Sequence, residues 1–144
     1  MNTAYSKDLN ARAITSALWA FVLLNIVFHD SYDLFGPSGL LQLLSGVSAD
    51  APGASTQRLL ANVVIELQLV MIVLCQVLPE RVNAAANCAV AFVSMLFVLI
   101  NLEHRLDDYF FAGVQSAGLV AVVWFAWVRE KIHHLLIAFA PPVK

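Results

Sequence analysis

Apolar residues gather into four stretches of membrane-crossing length, at about 13–28, 59–78, 82–102 and 109–128, each closed by charge, proline or glycine. About 17–25 predominantly apolar residues cross a bilayer as a helix. The first run reaches that length once its flanks are counted. The second stops at Pro79-Glu80-Arg81, the third at Glu103-His104-Arg105, and the fourth at Arg129-Glu130-Lys131. The links between the last three runs are short, so those runs must be antiparallel neighbours. The pattern predicts an all-α fold: one antiparallel four-helix transmembrane bundle occupying residues 1–144. The long first loop, 31–57, holds two turn-rich segments, Gly36-Pro37 and Asp50-Ala51-Pro52-Gly53. Leu40, Leu41, Leu43 and Leu44 between them fit a short interfacial helix. A similar interfacial reading suits the tail, where Ile132, Leu135, Leu136 and Phe139 follow the last charges.

Composition strengthens this assignment. The chain is 60% hydrophobic and 12% charged with a mean hydropathy of +0.78, against about 45–50% apolar and about 25% charged in a soluble domain. Its net charge of −2 offers no basic surface for nucleic acid. No A-x-A-like cleavage site follows the first run, which reads as a retained anchor. Lys7, Arg12, Arg81, Arg129, Lys131 and Lys144 fall on one side of this topology and Arg58 and Arg105 on the other. The positive-inside rule then places both termini in the cytoplasm. Trp124 and Trp127 would mark the inner interface, and Tyr32 and Tyr109 the outer one.

Polar residues follow helical spacing toward the outer side. Asn25 and His29 stand four apart in the first run, with Asp30 and Asp33 just beyond. Arg58, Asn62 and Glu66 recur at spacing four in the second, so Glu66 lies roughly 12 Å deeper than Arg58. Asn87, Ser94 and Asn101 recur at spacing seven in the third and lead to His104. Asp108 and Gln115 do so in the fourth. A carboxylate inside a span costs about 2.5–3.5 kcal/mol by the lower estimates and marks a bundle interior or wet cavity. Glu66 is therefore read as an anionic anchor or proton acceptor. Asn25, Glu66 and Gln115 form the floor of a pocket, Asn62 and Asn101 line it, and His29, Asp30 and His104 stand near its mouth. The alternative role for Glu66 is structural, hydrogen-bonded to Asn25, Asn62 or Gln115.

Other features carry less chemistry. His29, Asp30, Glu103, His104, Asp107 and Asp108 include the donor types of zinc, iron or manganese sites. No HExxH motif accompanies them, so no metal is assigned. Nucleophile elbow, P-loop and GxGxxG motifs are absent from the sequence. Asn87 and Ser94 read as glue between helices, and Gly113, Ala117 and Ala121 as a close-packing seam. Cys75 and Cys88 lie equally far from the Arg81 hairpin and read as inert buried thiols.

Three segments also carry a resemblance: Trp19-Ala20-Phe21-Val22-Leu23-Leu24-Asn25 leading to Asp30, Val77-Leu78-Pro79-Glu80-Arg81-Val82-Asn83 leading to Asn87, and Trp124-Phe125-Ala126-Trp127. Together they resemble an uncharacterised bacterial family of small four-helix membrane proteins, reminiscent of the DoxX-like proteins, some of which associate with quinone-linked oxidation. The resemblance implies recurring polar positions at Asn25, Asp30 and Glu66 and a bacterial inner membrane. Relatives of this type carry a second acid near the position of Gln115, where this chain departs.

The leading expectation is a polytopic membrane protein that binds a small lipophilic or cationic ligand in a polar pocket open to the outer leaflet. Ligand identity, catalytic residues and cofactor are left unassigned. Two other classes compete. One is a membrane-embedded acid–base or redox enzyme acting on a lipid or quinone. The other is an accessory subunit whose polar stripes meet another membrane protein. The expected partners are membrane lipids, a second copy of the chain or a membrane complex.

Overall fold

The computed structural model describes residues 3–45, 54–102 and 105–138. Five helices follow in order: α1 (Thr3–Phe35), α2 (Pro37–Ser45), α3 (Ala54–Val77), α4 (Glu80–Ile100) and α5 (Leu106–Ala138). No strand occurs among the described residues. Four segments are long and apolar enough to cross a membrane: Leu9–Phe35, Thr56–Val77, Glu80–Ile100 and Leu106–Trp127. The shortest has 21 residues and is about 31 Å long, matching a hydrocarbon core of about 30 Å. The chain is an integral membrane protein of the four-helix class.

Two helices run past the limits expected from the sequence. α1 continues through His29, Asp30 and Asp33 to Phe35, because no residue before Gly36-Pro37 opposes helix. Gly36 accepts the turn, its N–H bonding Tyr32 O at 2.9 Å. At Gly39 a Cβ would stand 2.2 Å from Asp33 O and 2.6 Å from Leu34 O. Only glycine lets α2 fold this closely onto the end of α1. The short helix expected in the first loop is present as α2, with Leu40, Leu41 and Leu44 exposed. The turn at 50–53 lies outside the described residues. The tail differs from expectation: rather than forming a separate element, 129–138 continues α5 without a break. Charges interrupt hydropathy there, but Arg, Glu and Lys are good helix formers. Phe139 and Pro141-Pro142 lie outside the described residues.

The long helices form a ring. α1 and α4 each pack against α3 and α5, and the diagonal pairs make no close backbone approach. Lateral bonds set the directions: Ser16 pairs with the end of α3, and Asn25 with the start of α5. All neighbours are therefore antiparallel. The inward stripes are Thr15, Trp19, Val22 and Asn25 on α1; Val64, Gln68, Met71 and Cys75 on α3; Asn83, Asn87, Ala91 and Ser94 on α4; Gly118, Leu119, Val122 and Ala126 on α5. Each repeats at three or four residues, the helical period, with Gly118 and Leu119 side by side on α5.

Close packing occurs elsewhere than the expected Gly113–Ala121 seam. Gly113 has open space around its Cβ direction, whereas a Cβ at Gly118 would meet Val22 Cγ2 at 2.8 Å and Phe21 at 3.2 Å. Small residues mark an interface only where the helix is turned inward. Gly118 is; Gly113 and Ala117 are exposed.

At the end of the bundle bearing the α3–α4 hairpin, polar groups close on one another. Trp19 reaches across the diagonal, donating from Nε1 to Asn87 Oδ1 at 2.7 Å. Cys75 Sγ donates to the same oxygen at 3.3 Å. Asn87 Nδ2 donates to Asn83 O and Oδ1 at 2.7 and 2.9 Å. Arg12 donates to the Gln76 and Leu78 carbonyls at 2.9 and 3.0 Å, occupying the C-terminus of α3, whose last carbonyls lack helical partners. Asn87 and Ser94 thus bridge helices, with Ser94 Oγ accepting from Gln68 Nε2 at 2.9 Å. Cys75 is buried and Cys88 half-buried, and the two are not joined in a disulfide.

Candidate functional site

The opposite end, where α1 finishes and α5 begins, is built differently. Residue spacing on α1 puts His29 and Asp33 on one face, four apart, and α5 presents Asp108 to them. His29 Nε2 stands 3.1 Å from Asp108 Oδ1 and 3.8 Å from Asp33 Oδ2. His29 Nδ1 stands 3.8 Å from Asp30 Oδ1. Phe111 meets the imidazole edge-on, with centroids 5.0 Å apart, which fixes the plane of the ring.

Burial differs sharply within this group. The Asp108 side chain is only 7% exposed, while that of Asp30 is 69% exposed. Asp108 Oδ2 is buried with no hydrogen-bond partner among the described residues. Buried polar atoms nearly always have partners, so an orphaned carboxylate oxygen needs a physical reason. Arg105 pairs with Asp33 Oδ1 at 3.1 Å and also with Asp107. Arg105 donates to the Asp107 carboxylate, and that hydrogen bond holds the guanidinium pKa above its ordinary value, so Arg105 is a fixed positive charge at the rim.

His29, Asp30, Asp33 and Asp108 border a cleft of about 360 Å³. Its polar wall is His29, Asp30 and Asp33 from α1, Gln57 and Arg58 from α3, Asn101 at the end of α4, and Asp108 and Gln115 from α5. Ile26, Val64, Ile65, Phe97 and Phe111 supply apolar surface. Gln57 Nε2 donates to Asn101 Oδ1 at 2.8 Å, and Asn101 Nδ2 donates to Phe97 O at 2.8 Å, which ties α3 to the end of α4. His29, Asp33 and Asp108 each offer one ligand atom, and the three atoms lie within 4.8 Å of one another.

The sequence-derived site residues divide accordingly. His29, Asp30, Asn101 and Gln115 all line the cleft. Asn25 is buried beside it, its Nδ2 donating to Phe111 O at 3.0 Å and pinning α1 to α5. Asn62 and Glu66 are exposed on the outward side of α3 and are no part of the cleft wall. The placement of Glu66 in the pocket floor is therefore corrected. α3 turns Val64 and Gln68 inward instead, and Glu66, two positions from each, faces away. His104 lies outside the described residues, as does Glu103.

Asp33, Asp108, Gln57 and Arg58 belong to the wall and were absent from the expected site. The sequence did hold a signal for Asp33, its spacing of four from His29, obscured by ending the first helix at 28. Gln68 is the buried polar residue of α3; its Oε1 has no partner among the described residues.

The family model for a family of unknown function, DUF6326, matches residues 3–134. The chain belongs to this family. The DUF6326 match takes in all four long helices, and with them His29, Asp33 and Asp108. No curated protein and no solved structure matches the chain.

Proposed function

We propose that this DUF6326 protein binds a small cationic ligand in the cleft between the ends of its membrane helices. The observation that carries the reading is Asp108: a carboxylate buried in a membrane bundle, facing a cleft, with one oxygen unpartnered among the described residues. Three aspartates and one arginine line the cleft, so its fixed charge favours a cation. The volume lies within the range of about 300–1,000 Å³ typical of ligand pockets. Low dielectric around Asp108 strengthens attraction to a positive group. The apolar wall formed by Ile65, Phe97 and Phe111 accommodates a lipophilic portion where the ligand has one.

The protein sits in a bacterial inner membrane with both termini cytoplasmic. That orientation is supported by the six basic residues on the terminal side against two on the other. It opens the cleft toward the outer leaflet. The likeness to DoxX-like proteins rests on the three segments quoted above and agrees with this setting.

Native mass spectrometry of the gently extracted protein beside Asp108→Asn tests the reading. A bound cationic mass carried by the wild type and lost from the folded variant is the expected result. Equal retention of the same mass by both proteins would mean that the ligand sits elsewhere.

A further inference from the structure

We propose that the cation received by the cleft is a divalent first-row transition metal, held by His29 Nε2, Asp33 Oδ2 and the carboxylate of Asp108. The inference rests on the reading of the cleft as a cation site and narrows it to a chemical class. Spacing is the first argument. Two ligand atoms at about 2.1 Å from one ion stand roughly 3.0–3.4 Å apart. The His29–Asp108 separation of 3.1 Å is that of a hydrogen bond whose proton the ion would replace, and the His29–Asp33 separation of 3.8 Å needs only a small side-chain adjustment. Acceptors surrounding an organic ammonium at about 2.8 Å would instead stand roughly 4.5 Å apart.

The donor set is the second argument. One imidazole nitrogen with two carboxylates suits zinc, iron or manganese. Calcium and magnesium prefer shells of oxygen alone. Among the described residues three protein ligands converge, which leaves further coordination positions toward the cleft.

Orientation and burial supply the third. A metal-binding histidine commonly has a carboxylate toward its other ring nitrogen, and such partners fix ring orientation. Asp30 stands on that side of His29, 3.8 Å from Nδ1. Arg105 holds Asp33 through Oδ1 and leaves Oδ2 turned toward His29. The buried, unpartnered Asp108 Oδ2 is an observation independent of the clustering. A cation placed among these groups would supply its missing partner.

The test begins with full-length protein in lipid nanodiscs, stripped with chelator, and titrated with zinc or manganese alone. One equivalent per chain is expected. Asp108→Asn should weaken binding at least tenfold, Asp30→Asn by about tenfold through the histidine, and Glu66→Gln should leave it unchanged. Elution volume and melting temperature establish that each variant is folded. X-ray absorption of the zinc-loaded wild type needs no variant at all: one imidazole among oxygen donors at about 2.0–2.2 Å is expected, and an oxygen-only shell overturns the proposal. Equal binding by the wild type, Asp108→Asn and Asp30→Asn also overturns it, assigning the metal to the surface.

A parallel titration with a fluorescent alkylammonium separates the two readings. Saturable dye binding that depends on Asp108, without metal binding, defeats the metal site and keeps the cationic cleft. Failure of both titrations defeats both.

Discussion

The two ends of this bundle use similar polar side chains to opposite effect. At the hairpin end, Trp19, Cys75, Asn83 and Asn87 share a compact set of hydrogen bonds, and Arg12 occupies the carbonyls that α3 leaves open. At the other end, His29, Asp30, Asp33 and Asp108 crowd carboxylates around one imidazole beside a cleft, and a buried oxygen lacks a partner among the described residues. Polarity inside a membrane protein is therefore ambiguous by itself. Whether donors and acceptors balance separates architecture from a site: Trp19, Cys75, Asn83 and Asn87 leave none of their buried side-chain nitrogens and oxygens without a partner, while the cleft has an excess of acceptors that a cation would neutralise.

That contrast can be broken by mutation. The largest effect is expected for Asn87→Ala, which leaves the Trp19 indole without its acceptor and opens a small void. The cost should be about 2–4 kcal/mol, read as a lowered melting temperature in detergent, while the folded fraction keeps its cation affinity. Undiminished stability would deny the hairpin-end network its structural role. Gly118→Ala follows, at about 1–3 kcal/mol from overpacking against Val22, with Gly113→Ala as a near-neutral control in the same melting series. Asp108→Asn should reverse the pattern: a tenfold loss of cation affinity, equivalent to about 1.4 kcal/mol, with little change in melting. A large stability loss and normal binding would instead make Asp108 a structural residue. Glu66→Gln is expected to do least, altering cation affinity in the same titrations by less than twofold.

Much of the fold was legible because hydropathy and helix breakers report directly on spans and turns. Gly36-Pro37 and Pro79 mark real boundaries, and the leucines between 40 and 44 form the expected short helix. The cleft was legible only in part, because spacing fixes which residues share a face without saying where that face points. Asn62 and Glu66 do share a face, but in lipid an outward face is as apolar as an inward one, so hydropathy cannot orient α3. Its rotation is set by tertiary packing, with Val64, Gln68, Met71 and Cys75 turned inward. Asp33 lies beyond the first apolar run, ended at 28, and Asp108 just before the fourth, begun at 109. Their role depends on α1 continuing to Phe35 and meeting the first turn of α5.

The outward position of Glu66 bears on how the protein is made. It sits near the centre of Thr56–Val77, yet that segment holds the most apolar stretch of the four. Leucine, isoleucine and valine each favour translocon insertion by about 0.3–0.6 kcal/mol at a helix centre, against a penalty of about 2.5–3.5 kcal/mol for an acid there. The apolar richness of α3 thus offsets the acid without help from any neighbour inside the bundle, since Glu66 turns away from them all. α3 is therefore equipped to leave the translocon as an individual helix, with its acid tolerated before the ring of helices closes.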